Sequence, residues 1–422
     1  MKLTHKPRGT LVAALDIGSH KVACIIGRVI DDEGGIEVLG AGYQAAKGIK
    51  GGVITDLELA DHSIRQSVHA AEKMASHEIN GYPLRDVIVN VPATQTRSES
   101  LDISLQISGQ AVAQYDIDQA LSNAQNQITK TDKELIHTIM VNCGIDGVAG
   151  IDDPINMTGQ SLDVSVNAVL SALTPLQNLT NCIERGHLDI ICLCSSVYAA
   201  GLSCLVEDEM NLGCTVIDMG AGATSFAIFM GGKMIHQDYI PIGSGHVTSD
   251  IANGLNCSMT DAERIKTLYG SAMLGTSDEN ELIDVPRLGE TDSTTANHVS
   301  RALLIGIIQP RIEEILEMVR EKLDASEFRE LIGRKVVLTG GGSQLSGLRE
   351  LSKLILDKQV RLGRPIRISG LPDAVSGPNF ASVSGLLVYY VSHSHEMPTE
   401  VSANADSGSL WSRIKNWWKE NW

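Results

Sequence analysis

Asp16 and Asp218 each close an apolar run, and each is followed two residues later by glycine: Leu11-Val-Ala-Ala-Leu-Asp16-Ile-Gly18 and Cys214-Thr-Val-Ile-Asp218-Met-Gly220. A strand ending this way delivers a carboxylate to its tip, and the glycine lets backbone N–H groups approach a phosphate oxygen closely. Carboxylates placed beside phosphates do not touch them; they hold magnesium through its water shell. The first turn continues Gly18-Ser19-His20-Lys21, offering the amides of Gly18, Ser19 and His20 and the ammonium of Lys21. The second continues Gly220-Ala221-Gly222-Ala223-Thr224-Ser225 and turns Gly220, Ala221 and Gly222 toward β- and γ-phosphates, with Thr224 nearby. One Asp-x-Gly is an ordinary strand-end turn. Two with matching flanks predict a nucleotide gripped from both sides, with Asp16 and Asp218 as water-mediated magnesium ligands.

A third motif completes the pattern. Val336-Val-Leu-Thr-Gly340-Gly341-Gly342-Ser-Gln344-Leu-Ser-Gly347 is an apolar strand, a glycine triplet and a helix start. Glycines at a strand end let backbone lie flat against a nucleoside, and a helix N-terminus adds its dipole. A structural strand–helix turn is the alternative. The spacing is neither GxGxxG nor GxxxxGK[ST], which excludes the Rossmann and Walker readings. Glu263 and Lys266, in Asp261-Ala-Glu-Arg-Ile-Lys266, share one helical face. They suit either contacts to ribose and adenine or a surface ion pair.

The elements that must position these residues follow from pattern. Strands are expected at 11–16, 21–29, 36–44 and 86–91, with a helix over 61–77 capped by Asp61. Residues 96–168 are more polar and alternate, as in Leu101-Asp-Ile-Ser-Leu-Gln-Ile107, which predicts a small α+β insertion with a helix at 116–124. A helix over 176–186 and a buried strand over 188–193 follow. The strand–Asp-x-Gly–strand order then returns at 214–218, 223–230 and 233–240. This internal repeat predicts two related α/β domains facing each other. Residues 243–305 read as a mostly helical insertion, and 393–408 as a flexible linker.

Composition narrows the function. The chain has 34 basic and 51 acidic residues, a formal charge of −17. That balance repels nucleic acid, which is not an expected partner, and it also repels an anionic leaflet. Eight cysteines occur with no CxxC pair, as expected for buried free thiols in a reducing compartment. Residues 11–15 are too short for a secretory signal and run into Asp16. With no apolar stretch of membrane-spanning length, the body is expected in the cytoplasm. All four tryptophans lie between 411 and 422. On a helix, Leu410, Trp411, Ile414, Trp417, Trp418 and Trp422 share an arc of roughly 140°. Lys415 and Lys419 flank it, which suits a helix lying in a bilayer interface and attracted to anionic lipid. Docking on this chain's own body or in a partner's groove is the alternative.

These motifs together resemble the actin-like ATPase superfamily. Asp16-Ile-Gly18 matches its first phosphate motif, Asp218–Ser225 its second and Leu338–Gly347 its adenosine motif, while 194–205 and 380–390 look like its two connecting helices. Within it the chain resembles the FtsA family of bacterial cell-division proteins. Ile145-Asp-Gly with Asp152-Asp-Pro-Ile-Asn-Met-Thr-Gly-Gln-Ser-Leu-Asp163 is similar to that family's DG…NPxGMxGxxL segment, with Asn156 in place of its glycine. Ile240-Pro-Ile-Gly243 with 247–252 and 261–266, and the tail behind a linker, are similar to further family segments. The resemblance implies an α/β, actin-like (ribonuclease H-like) fold of two domains and four subdomains, with an α+β insertion and a C-terminal amphipathic helix. Subdomain IA would take 10–95, 169–206 and the closing helix 377–392, and IC would take 96–168. IIA would take 207–242 and 306–376, IIB 243–305, the linker 393–408 and the membrane-targeting helix 409–422. It further implies ATP and Mg2+ as cofactors, self-assembly into filaments, and residence on the cytoplasmic face of the inner membrane at the division septum. The implied partners are the C-terminal peptide of FtsZ, docking on IIB, and other divisome proteins. Arg301, at the head of an apolar helix in that region, could pair with an acidic peptide, a solvated helix-end arginine being the alternative.

One departure bears on turnover. Hydrolysing members of the superfamily place Glu or Gln in the first connecting segment to position water. Here it reads Leu193-Cys-Ser-Ser-Val-Tyr-Ala-Ala200, so weak or negligible hydrolysis is expected, with Asp16 the one candidate base. A sugar or acetate kinase of the same superfamily and a pilus-assembly ATPase-like adaptor are the rival readings. Neither uses the tail.

Overall fold

The structure is a computed structural model and describes residues 5–128, 133–276, 278–286 and 297–398. The linker residues 399–408 and the tail that carries Leu410 to Trp422 lie outside the described residues.

The repeat read in the sequence is a repeat of topology. One sheet runs Asp189–Ser195, Asp86–Val91, Leu11–Ile17, Lys21–Val29, Ile36–Ala45, Ile368–Ser369. The other runs Gln359–Leu362, Lys335–Thr339, Cys214–Met219, Thr224–Met230, Lys233–Ile240. In both, the strand ending in the aspartate is central. It pairs antiparallel with the strand that follows it in sequence and parallel with one that arrives much later. Central strands covered on both faces require near-continuous apolar runs, and Val12–Ile17 and Cys214–Ile217 supply them. Helices Ser196–Cys204 and Ala381–Ser392 pack between the sheets. They cross so closely that a Cβ on Gly385 would lie 1.7 Å from the Ala199 carbonyl oxygen. Every cysteine is free and buried, and burial pushes the Cys24 thiol up to about 12, so these are inert core groups.

The helix expected over 61–77 spans Leu57–Met74 instead. Its cap is Asp56, whose carboxylate accepts from the amides of Glu58 (3.0 Å) and Leu59 (3.1 Å). Asp61 lies one turn inside and pairs with Arg65, an intrahelical use that sequence pattern does not distinguish from a cap.

The polar segment forms a four-stranded sheet, Thr96–Gln106, Ser161–Ala172, Lys133–Ile145, Val148–Ala149, backed by helix Gln114–Ile128. Its two signature pieces bond to each other. Asp146 accepts from the amides of Gln160 (2.7 Å) and Ser161 (2.8 Å). Asn156 has φ +67°, a left-handed conformation that asparagine tolerates better than other side chains. The departure from glycine there therefore keeps the backbone the turn needs.

The second insertion is less helical than expected. Helices Ser244–Leu255 and Met259–Tyr269 are followed by a hairpin of Leu282–Val285 and Asn297–Ser300, before the long helix Arg301–Ala325. The start of the expected linker is also not free. Ser394–Glu396 forms a turn, and Glu396 and Met397 are buried against the domain. Among the described residues, no helix is long and apolar enough to cross a membrane.

Candidate functional site

The two Asp-x-Gly turns face each other across a cleft of about 640 Å3. Each turn is built alike: Gly18 N–H donates to the Lys21 carbonyl at 3.0 Å, and Gly220 N–H to the Ala223 carbonyl at 3.0 Å. A Cβ at Gly18 or Gly220 would sit 3.0 Å from that same carbonyl, so both positions favour a hydrogen in place of a side chain. The turns also approach each other, since a Cβ on Gly222 would meet the Ser19 hydroxyl at 2.7 Å and Gly51 Cα at 2.9 Å.

The second turn is aimed by the helix beyond it. The carbonyls of Gly220 and Ala221 accept from the amides of Ser244 (2.8 Å) and Gly245 (2.9 Å), the first turn of helix Ser244–Leu255. In a trans peptide the N–H points opposite to the carbonyl. The N–H groups of Ala221 and Gly222 therefore point away from that helix, and both residues line the cleft.

The charged groups at the floor are incomplete as they stand. Burial raises the Asp16 carboxyl, partly offset by Lys21 and by Ser382, whose hydroxyl donates to Asp16 Oδ1 at 3.3 Å. Burial pushes Asp218 up to about 7, with the Asp16 charge adding and Lys21 opposing. Burial pulls the Lys21 ammonium down to about 7 against the two aspartates. Its Nζ lies 3.0 Å from the Phe380 ring centroid and has no hydrogen-bond partner among the described residues. A buried ammonium without an acceptor, beside backbone donors and two carboxylates, fits an anion that arrives with a cation.

The glycine triplet closes one wall. Gly340 has φ +81°, and a Cβ there would fall 2.2 Å from Asp218 Oδ1. Gly340→Ala is expected to cost about 2 kcal/mol or more of stability, read as a lowered Tm. An unchanged Tm would contradict this tight approach. Gly341, Gly342 and Gln344 line the same wall.

Gly18, Ser19, His20, Lys21, Gly220, Ala221, Gly222, Glu263, Lys266, Gly340, Gly341, Gly342 and Gln344 thus share one cleft with Asp16 and Asp218. The Glu263–Lys266 ion pair forms, and it does so in the cleft wall. Lys266 Nζ sits 2.7 Å from Glu263 Oε2 and donates to Thr248 Oγ1 at 2.7 Å, while both residues line the cleft. Thr224 is different. It is fully buried and donates to the Ile242 carbonyl at 2.9 Å, and its neighbour Ser225 faces the cleft. Alternation along strand Thr224–Met230 decides which of the two points inward.

Arg301 also lines this cleft and is paired within the chain. Its guanidinium donates to the Tyr269 carbonyl (2.9 Å), Asp278 (2.9 Å) and Glu281 (3.0 Å), so its charge is already used within the chain. Asp278 is 4% exposed. Arg301→Ala removes the counter-charge of that carboxylate, which keeps the Gly275 amide at 2.6 Å, and is expected to cost about 2 kcal/mol, measured by denaturant unfolding. A cost near zero would restore a solvated role for Arg301.

Asn90, Ser196, Asn379 and Ser382 also line the cleft and were missed by motif reading. Asn90 Oδ1 accepts from Ile17 N–H at 2.7 Å, tying the first turn to the neighbouring strand. A polar residue near the end of an apolar strand, Asp86-Val-Ile-Val-Asn90-Val, was the available signal.

With this geometry in hand, comparison with known proteins is decisive. A family model described as cell division protein FtsA matches residues 215–385, and one described as the SHS2 domain inserted in FtsA matches 93–170. The cell division protein FtsA of Agrobacterium fabrum is 38% identical over 440 aligned residues, covering 100% of this chain and 97% of that one. The chain belongs to the FtsA family. The Rhizobium meliloti FtsA is 39% identical, covering 98% and 95%, and the Escherichia coli K12 FtsA 29%, covering 96% and 97%. The SHS2 match falls on the four-stranded insertion of this FtsA-family chain. Among solved structures, the PilM–PilN type IV pilus biogenesis complex aligns with a TM-score of 0.65 at 16% identity, covering 91% and 99%. MreB5 of Spiroplasma citri bound to ADP aligns at 0.53 and 12%, covering 95% and 100%. These two share the actin-like fold.

Proposed function

We propose that this FtsA-family chain binds ATP with Mg2+ in the cleft, assembles into filaments on the cytoplasmic face of the inner membrane, and ties the FtsZ ring to that membrane at the septum. The observation that carries the nucleotide reading is Lys21, a buried ammonium with no acceptor among the described residues, in the field of Asp16 and Asp218. The turn amides of Gly18, Ser19, His20, Ala221 and Gly222 would hold the phosphates with Lys21. Asp16 and Asp218 would hold the ion's water shell, and Glu263, Lys266, Gly340, Gly341, Gly342 and Gln344 would bound the nucleoside. Magnesium supplies charge neutralisation of the phosphates. The solved MreB5 structures of this fold are bound to ADP and to AMPPNP, which supports the same ligand class here.

Slow hydrolysis is part of the proposal. Ser195 turns its hydroxyl away from the cleft to Gln237 Oε1 at 2.6 Å, and Ser196 is the residue of that segment that lines it. Neither is a carboxylate or an amide. For the FtsZ peptide, the second insertion offers exposed Leu274, Leu282 and Leu303. Other divisome proteins would meet the four-stranded insertion, and the tail would reach anionic lipid. Titration with a fluorescent ATP analogue, with and without Mg2+, tests the nucleotide reading. Saturable, magnesium-strengthened binding displaced by ATP supports it, and absence of displaceable binding overturns it.

A further inference from the structure

The residues leading into the tail are seated where the two domains meet. Tyr198 donates its hydroxyl to Glu396 Oε2 at 2.8 Å, in a site where Glu396 is 8% exposed. The His393 ring stands edge-on to Tyr198 at 6.5 Å. Tyr198 also packs against Tyr389 (5.8 Å) and Phe229 (5.9 Å), so helix Ser196–Cys204, helix Ala381–Ser392 and the second domain's sheet meet at this ring. His137, from the four-stranded insertion, joins them. Its Nε2 accepts from Ser195 N–H at 2.9 Å, so Nδ1 carries the proton and donates to the Tyr389 hydroxyl at 2.8 Å. Burial pulls the His137 imidazole down to about 3, so this bond keeps one tautomer across the physiological range.

The same two helices begin at the cleft. Ser196 opens the first and lines the cleft; Ser382 opens the second and bonds Asp16. Two residues past Ser196 is Tyr198, and two turns past Ser382 is Tyr389. The helices are locked backbone to backbone at Gly385 and Ala199. A shift at their cleft ends would therefore be passed along both helices to the ring that holds Glu396. Packed elements of this kind move between discrete arrangements and do not deform smoothly.

We propose that residues 393–398 form a strap whose seating on the Tyr198–Tyr389–His137 cluster is coupled to nucleotide occupancy of the cleft, so that the root of the tail is held differently with and without ligand. The proposal rests on the nucleotide reading above. Because coupling between sites is reciprocal, loosening the strap must change nucleotide affinity by the factor with which nucleotide changes the strap.

The test uses the full chain and measures hydrogen exchange of the amides of 393–398, with and without ATP and Mg2+, beside ATP affinity for wild type, Glu396→Gln, Glu396→Ala and Tyr198→Phe. Nucleotide is expected to change strap protection at least about fivefold. Glu396→Ala and Tyr198→Phe are expected to shift ATP affinity by a matching factor, and Glu396→Gln, which keeps an acceptor for Tyr198, to behave as wild type. Bound ATP with unchanged strap protection in the wild type overturns the strap alone, whatever the variants do. Failure to bind ATP overturns the nucleotide reading and the strap with it. Altered affinity in Glu396→Gln as large as in Glu396→Ala also counts against the strap, since it would reflect general damage to the site.

Discussion

Lys21→Glu is expected to weaken ATP binding by a hundredfold or more, about 3 kcal/mol. The buried ammonium has no hydrogen-bond acceptor among the described residues, so phosphate is its natural partner. Glutamate there removes the attraction and adds a third carboxylate beside Asp16 and Asp218, where burial, and for Asp218 also the Asp16 charge, already favours protonation. Lys21→Ala should cost less, because the backbone amides of both turns remain. The order of effects, Glu greater than Ala greater than wild type, is the signature of a phosphate contact, and isothermal titration would read it. Equal affinity in all three proteins would remove Lys21 from the site and with it the main support for the nucleotide reading.

Removing residues 409–422 is expected to abolish sedimentation with anionic liposomes while leaving ATP affinity unchanged. The remaining body is strongly acidic, and the net charge of −17 for the whole chain is set against a like-charged surface. The deleted segment carries all four tryptophans together with Lys415 and Lys419. One such segment would bind marginally, because ordering it would offset much of what burying its indoles contributes. Several tails presented by one filament bind far more firmly through effective concentration. Membrane binding should therefore rise steeply with protein concentration, and should be steeper with ATP if ATP promotes assembly. A tail-less protein that still pellets with liposomes would place the membrane contact elsewhere on the body.

The sequence made the chemistry of the cleft legible because it is carried by backbone turns with fixed spacing. Asp-x-Gly and the glycine triplet leave a record in composition, and the structure brings nearly all their residues into one cleft. The misses have physical causes. Thr224 and Ser225 are adjacent in a strand, and only the pleat decides which faces the ligand. The internal pairing of Arg301 is not legible in the sequence, because its acceptors, the Tyr269 carbonyl, Asp278 and Glu281, lie 20 to 32 positions away. Asp56 and Asp61 are equally good caps on paper, and tertiary packing chooses between them. The first residues of the linker read as polar coil, yet Glu396 is buried because Tyr198, almost two hundred positions earlier, supplies a donor. Long-range pairing of this kind leaves no local trace.

The central claim is that this chain ties FtsZ to a membrane, and its most direct test is FtsZ co-sedimentation with anionic liposomes. FtsZ is mixed with liposomes and ATP–Mg2+, with the intact chain, with the chain lacking 409–422, or alone. The account predicts FtsZ in the pellet with the intact chain only. FtsZ remaining in the supernatant while the intact chain pellets, or pelleting equally with the shortened chain, would contradict it.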